Sequence, residues 1–211
     1  VSTAATLRRK PALVLLAAGE SRRLGECKAL VRLTPRNPLE LLSAAGACFD
    51  EIPPLVITGA DHTKIVAALP AGLEVVFNDR WAESRSSGLR SAARTRAGRD
   101  LCLAPVDVPL VPRDVFERLL AAWLARGSPS RGWLAPSWSA PGEPERSSYG
   151  HPIVVGRELV AELDAMPLDT PLRDLRARAE PVFSVAVESR AILDDLDTPD
   201  DLVRLRARAG I

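Results

Sequence analysis

Apolar positions fall in two alternating rhythms along the chain. Residues 11–18, Pro-Ala-Leu-Val-Leu-Leu-Ala-Ala, form a short continuous apolar run ended by Gly19, the pattern of a strand buried on both faces. Further strands are predicted at Pro54–Thr58, closed by Gly59, at Glu74–Phe77, ended by Asn78, and at Leu101–Pro105, followed by Asp107. Trp133–Ser137, Pro152–Val155 and Val182–Val187 complete the set. Between them, apolar residues recur at helical spacing over 38–48, Asp61–Leu69, Leu89–Arg96 and Pro112–Ala125. Short helices are expected at Glu158–Asp164 and Pro171–Arg178. A C-terminal helix is expected over Thr198–Ala209, where Thr198, Pro199 and Asp201 form a starting signature. The Gly/Pro/Ser/Glu-rich stretch 138–148 reads as a mobile or substrate-covering loop. Strands of about five residues alternating with helices of about ten predict βαβ units around a mostly parallel sheet.

Composition narrows the class. With 211 residues, 46% of them hydrophobic, the chain suffices for one α/β domain over 1–211, and no repeat or linker divides it. The net charge of +1 gives no electrostatic case for nucleic acid or an anionic membrane. No apolar run approaches a membrane span, and Val1–Lys10 lacks the apolar core of a signal peptide, so the expected compartment is the cytoplasm. Cys27, Cys48 and Cys102 match neither a disulfide framework nor a zinc site.

Ligands of such sheets sit beyond the carboxyl ends of the strands. There the sequence places Ala17-Ala18-Gly19-Glu20-Ser21-Arg22-Arg23-Leu24-Gly25-Glu26-Cys27-Lys28. Small residues end the strand, Gly19 permits a sharp turn with close backbone approach, and Ser21, Arg22 and Lys28 offer donors to an anion. The spacing is neither a dinucleotide fingerprint nor a Walker A loop. The alternative is an ordinary glycine turn with solvated basic residues. Asp107, held by Pro109-Leu110-Val111-Pro112, is placed either to bind Mg²⁺ or simply to cap a helix. Of the acid cluster Asp194–Asp201, Asp197 is expected at a strand end and is the one most easily turned inward to join Asp107, with Leu196 packing away from it. Paired carboxylates without His or Cys partners suit a hard cation carried with phosphates. His62 reads as structural. His151, in Tyr149-Gly150-His151-Pro152, either bonds a substrate or pins the loop. Trp123 is expected in the core and Trp138 exposed. Arg173, Arg176 and Arg178 read as a solvated face from which Arg173 can turn inward.

These residues resemble the MobA-like nucleotidyltransferases, most closely the molybdenum cofactor cytidylyltransferases. The family opens with a strand and Leu-Ala-Ala-Gly-x-Ser-x-Arg-x-Gly-x-x-Lys, matched by Leu16, Ala17, Ala18, Gly19, Ser21, Arg23, Gly25 and Lys28. The likeness continues at Asn78 and Trp81, at Asp107-x-Pro109-Leu110-Val111, at Gly150-His151-Pro152 and at Asp195-Leu196-Asp197-Thr198-Pro199. It implies a three-layer Rossmann-like α/β domain with a mostly parallel, mixed central sheet, similar to nucleotide-diphospho-sugar transferases. It further implies a nucleoside triphosphate substrate, CTP in particular, because Ala18 stands where the guanylyltransferase branch carries a second glycine. Leu16, Ala17, Ala18, Gly19, Ser21, Arg23, Lys28, Asn78, Ser87 and Asp107 would line the nucleotide, with Arg23, Lys28 and Asp107 as catalytic residues. Asp107 and Asp197 would hold Mg²⁺. His151, Asp169 and Arg173 would face a small phosphorylated acceptor, molybdopterin in the family, with a molybdoenzyme or its chaperone as protein partner.

The chain also departs from the pattern. Ser84 stands where a glycine is usual, and Gly88 where a serine is usual. The family's Gly-Asp-x-Gly-x-Arg appears as Leu168-Asp169-Thr170-Pro171-Leu172-Arg173, and Tyr149 replaces a common arginine. A transferase acting on a sugar phosphate or another phosphorylated acceptor, or a nucleotide-binding protein without turnover, are the competing expectations.

Overall fold

The computed structural model describes residues 9–84, 86–143 and 145–210. The leader reading of Val1–Lys10 falls largely on residues 1–8, outside the described ones. Strands β1 (Ala12–Ala17), β2 (Leu55–Thr58), β3 (Glu74–Phe77) and β4 (Leu101–Pro105) are parallel, in the order β3-β2-β1-β4. Next to β4 runs β7 (Ile153–Val155), antiparallel to it and to β5 (Trp133–Ser139). β6 (Ser147–Tyr149) pairs antiparallel with the far end of β5, and β8 (Val182–Ala186) runs parallel along its other edge. The sheet is therefore mixed, as expected.

Alternation along the strands builds two helical layers. Leu13, Leu15, Ala17, Val56, Cys102, Ala104, Leu134 and Val154 face α1 (Pro38–Ala45), α2 (His62–Ala67) and α4 (Arg113–Ala125). Val14, Leu55, Ile57, Leu101, Leu103, Trp133, Ala135 and Ile153 face α3 (Ser87–Thr95), α5 (Arg157–Ala161) and α6 (Leu172–Arg176). Because successive side chains of a strand point to opposite faces, one apolar run supplies both cores. Trp123 is fully buried and donates its indole N–H to Asp100 at 3.0 Å. A third apolar cluster joins Leu24, Val31 and Leu33 of the first loop to Leu196 and to Leu202 and Leu205 of α7 (Pro199–Arg208). That cluster brings the chain's last helix to its first loop. The start of α7 is fixed by a capping box, in which the Thr198 hydroxyl accepts from Asp201 N at 3.2 Å and the Asp201 carboxylate accepts from Thr198 N at 2.9 Å.

Three expectations need correction. The stretch 138–148 is not loop throughout: β5 continues to Ser139 and pairs with β6 from Ser147, so strand replaces loop at both its ends. Trp138 is not a free surface side chain, since it packs against the larger core and lies under the Arg190 guanidinium. Asp197 does not end a strand; it follows the short 3₁₀ turn Arg190–Leu193 and precedes α7. No helix among the described residues is long and apolar enough to cross a membrane.

Candidate functional site

Register brings the candidate residues to one edge of the sheet. Leu16 lies opposite Pro105, Ala17 opposite Thr58, and Thr58 opposite Phe77. Gly19, Asn78 and Asp107 follow these aligned ends. A cleft of about 600 Å³ opens there, lined by Leu16, Ala18, Gly19, Ser21, Arg22, Arg23, Lys28, Asn78, Trp81, Ser84, Ser87, Gly88, Asp107 and Asp197 among others. Ala17 is buried beneath it and lines a smaller recess shared with Cys27, Lys28 and Asp107.

The first loop owes its shape to a different residue from the one the sequence pointed to. Gly19 does not take a left-handed conformation; Ser21 (φ 55°) and Gly25 (φ 80°) do. A Cβ placed on Gly19 would meet nothing within 4 Å, so the glycine keeps the mouth of the cleft open rather than making the turn. The Ser21 carbonyl accepts from Leu24 N and Gly25 N, both at 3.1 Å, and its hydroxyl accepts from Lys28 N at 3.2 Å. These bonds curl the loop so that Lys28 returns to the strand end.

Asp197 is the electrostatic hub. Its two oxygens accept from Lys28 Nζ and, at 2.6 Å, from Arg23 Nη2. The Lys28 side chain is 15% exposed and that of Asp197 29%, so this pair is shielded, whereas Arg23 is 69% exposed. The Lys28 hydrogen bond, opposed by some burial and joined by the Arg23 charge, holds the Asp197 carboxyl below its ordinary value. Leu196 N donates to the Asp107 carbonyl at 2.7 Å, which ties the approach to Asp197 to the end of β4. The Asp107 carboxylate has no hydrogen bond or ion pair among the described residues. Burial, then the nearby Asp107 and Asp197 charges, raise the Asp195 carboxyl. Asp195 was assigned no role from the sequence, and only its place two residues before Asp197 pointed to it. Among the described residues, no group of three or more His, Cys, Asp or Glu side chains stands ready to hold a metal by itself. The donor set is a pair of carboxylates, hard oxygen ligands that fit a divalent cation whose other ligands come from phosphates and water.

Asn78 and Ser87 reach the cleft but are engaged with each other. Asn78 Nδ2 donates to Ser87 Oγ at 2.8 Å, and Ser87 Oγ donates to the Ser84 carbonyl at 2.7 Å. Gly88 leaves space beside Ala18: a Cβ there would lie 4.0 Å from that of Ala18 and 3.8 Å from Asn78 Nδ2.

The acceptor candidates divide. His151 and Arg173 line a second cavity of about 430 Å³, with Trp133, Ala135, Tyr149, Ile153 and Arg176. Asp169 lines neither cavity. The segment carrying His151 is seated tightly: its N–H donates to the Ile192 carbonyl at 3.1 Å, and a Cβ on Gly150 would fall 2.1 Å from that oxygen. His151 Nδ1 is buried without a partner among the described residues, and burial lowers the imidazole pKa while the Asp107 charge partly offsets this. His151 thus faces the second cavity within the electrostatic reach of Asp107. Arg176, stacked 5.8 Å above the Tyr149 ring, belongs to the same wall, whereas its sequence context suggested only a solvated helix face.

Residues 13–182 match the family described as the MobA-like NTP transferase domain. The chain is 24% identical over 199 residues to a molybdenum cofactor cytidylyltransferase of Escherichia coli, spanning 92% of this chain and 95% of that protein. Among solved structures it resembles the Rv0371c protein of Mycobacterium tuberculosis, with 26% identity, a TM-score of 0.72, and 94% and 98% of the two chains covered. A manganese complex of that protein matches similarly, at 25% identity and a TM-score of 0.72 over 94% of this chain and 98% of the other. A nucleotidyl transferase from Methanothermobacter thermautotroptrophicus shares the fold, with 21% identity and a TM-score of 0.75 over 95% and 98% of the chains.

Proposed function

Since the chain belongs to the MobA-like NTP transferase family, we propose that its 211 residues act as one cytoplasmic transferase domain that moves CMP from CTP to molybdopterin, releasing pyrophosphate. The observation that carries the chemistry is the convergence of Lys28, Arg23, Asp107 and Asp197 on one cleft of nucleotide size at the strand ends. The curated relative in Escherichia coli is a molybdenum cofactor cytidylyltransferase, which supports the choice of base and acceptor.

The residues divide the work as follows. Gly19 and Ser21 leave the mouth of the cleft open for the triphosphate, and Lys28 and Arg23 supply positive charge to its oxygens. An acceptor phosphate attacks the α-phosphorus, and the bond to the pyrophosphate oxygen breaks. The attacking oxygen is already ionised, so the protein need not remove a proton. Catalysis then rests on positioning and on neutralising charge that builds on the phosphoryl oxygens. Asp107 and Asp197 would hold Mg²⁺, which when bound offsets negative charge on the phosphates. His151 and Arg173 face the acceptor from the second cavity. Ala18 narrows the floor on which the base rests, in favour of a pyrimidine.

Two arginines beside Tyr149 in that cavity, and the altered residues Leu168 and Pro171, favour a second reading in which the acceptor is a different phosphorylated molecule. Pyrophosphate release with Mg²⁺, measured for each of the four nucleotides with and without molybdopterin, separates these. Release selective for CTP and dependent on molybdopterin is expected. Preference for GTP refutes the base assignment, and activity only with another phosphorylated acceptor removes molybdopterin. No release from folded protein under any pairing leaves a nucleotide-binding protein.

A further inference from the structure

Three consecutive carbonyls, those of Met166, Pro167 and Leu168, are all held by side chains from the segment that walls the nucleotide cleft. Arg90 Nη2 donates to Met166 O and to Pro167 O, each at 2.6 Å. Ser84 Oγ donates to Leu168 O at 2.6 Å, and Ser86 Oγ donates to the same oxygen. Ser86 and Arg90 are buried, at 4% and 8% exposure, while Ser84 also lines the cleft.

Two features make this more than ordinary packing. Arg90 has no carboxylate partner among the described residues and meets carbonyl dipoles instead, an expensive way to bury a guanidinium. In addition, Ser84 and Leu168, two positions where the sequence leaves its family's pattern, contact each other. The loop so held continues without a break into the acceptor side. Thr170 N and Oγ1 donate to Pro167 O at 3.1 and 2.7 Å, and Pro171 starts α6, which carries Arg173 and Arg176 to the second cavity.

We propose that Ser84, Ser86 and Arg90 are positioning residues that clamp residues 166–170 and thereby set the acceptor cavity from the nucleotide side. This role rests on the two-substrate transferase reading. Ser84 is the point of communication, since one face of it borders the cleft and its hydroxyl holds the acceptor loop. Ser86 and Arg90 do not line the cleft; besides holding the loop, Ser86 meets the cleft only through Ser84, whose hydroxyl accepts from Ser86 N at 3.1 Å.

Ser86→Ala tests the clamp with the smallest change, and Ser86→Thr restores the hydroxyl. Losing one buried hydrogen bond should speed hydrogen exchange of the Thr170 amide, which donates to Pro167 O, about tenfold in the free protein, with the core strands unchanged. In steady-state transfer, KM for the acceptor should rise about tenfold while KM for the nucleotide moves less than twofold. Ser86→Thr should reverse both effects. A merely structural residue would lower the active fraction and move neither KM. Unchanged exchange at the Thr170 amide, or both KM values rising together, overturns the clamp. Absence of transfer by the unaltered protein with every acceptor counts against the transferase reading instead, and the exchange rates then decide by themselves whether the clamp holds the loop.

Discussion

Replacing Asp197 by asparagine should weaken the fold and, at the same time, tighten binding of a metal-free triphosphate. In the structure one carboxylate neutralises both cations intended for the phosphates. The Arg23 pair is 69% exposed on the arginine side, and solvent screening leaves it about 0.5 kcal/mol or less. The Lys28 pair is shielded, and a charge-assisted bond of that kind contributes about 1.5–3 kcal/mol. The neutral amide keeps the shape but not the charge. A loss of about 2 kcal/mol is expected, which for a chain of this length lowers Tm by about 4–8 °C. The triphosphate meets the opposite balance. In the unaltered protein it must displace Asp197 from Lys28, whereas in the variant that competition is gone. Relief of about 1.4 kcal/mol would tighten binding about tenfold. Calorimetric titration with CTP in EDTA reads this directly. With Mg²⁺ present the order should reverse, because the variant lacks one of the two carboxylates proposed to hold the cation. A variant that binds CTP in EDTA no more tightly than the parent, or that keeps the parent's preference when Mg²⁺ is added, would refute the assignment of Asp197 as the group that moves between cation and metal.

Other substitutions probe the remaining parts of the cleft. Asp107→Asn should reduce transfer by about a thousandfold or more, yet leave Tm nearly unchanged because the carboxylate has no bonding partner to lose; a large fall in Tm would show a structural role. Ala18→Gly should shift the GTP-to-CTP preference toward GTP by about 10–200-fold, the range for size discrimination by small apolar groups; competition between the two nucleotides measures it, and an unchanged ratio moves the base elsewhere. Burial and then the Asp61 charge push the Cys27 thiol up to about 11, so its alkylation, followed by peptide mass spectrometry, should be slow at neutral pH and accelerate as pH rises toward that value. A Cys27 that reacts at neutral pH like a free thiol contradicts its half-buried position beside Lys28.

The layers were legible because strands buried on both faces are recorded as continuous apolar runs. Residues 11–18 showed a strand buried on both faces, whereas its pairing with β2 and β4 and their register came only from the structure. The strand-end punctuation Gly19, Asn78 and Asp107 was legible for the same reason, since polar and small residues there interrupt runs that have no polar residue inside. The hairpin of β5 and β6 was not. Its paired residues, Ser137-Trp138-Ser139 and Ser147-Ser148-Tyr149, are mostly serines and too few to show the apolar alternation of a strand.

The site itself was legible only as far as each residue could be read alone. Asp197 was separable from its acidic neighbours because Leu196 between them must face a core. Why it lands on Lys28 depends on Leu24, Val31 and Leu33 packing with Leu202 and Leu205, a contact between segments far apart in the chain. Gly19 looked like the turn-making residue because glycine usually is; the left-handed residue is Ser21, whose hydroxyl is occupied by Lys28 N. Arg90 left no trace in the sequence, and Ser86 stood out only as a hydroxyl near the altered positions 84 and 88 that could serve the nucleotide, not as a partner of the acceptor loop. Their partners are backbone carbonyls, which every residue has, so nothing at positions 166–168 marks the receiving end. An acceptor loop held by its main chain can change side chains freely while keeping its place. The departures at Leu168 and Pro171 are therefore compatible with an intact acceptor cavity, and altered acceptor preference should be sought first in the side chains that line it, Tyr149, Arg173 and Arg176.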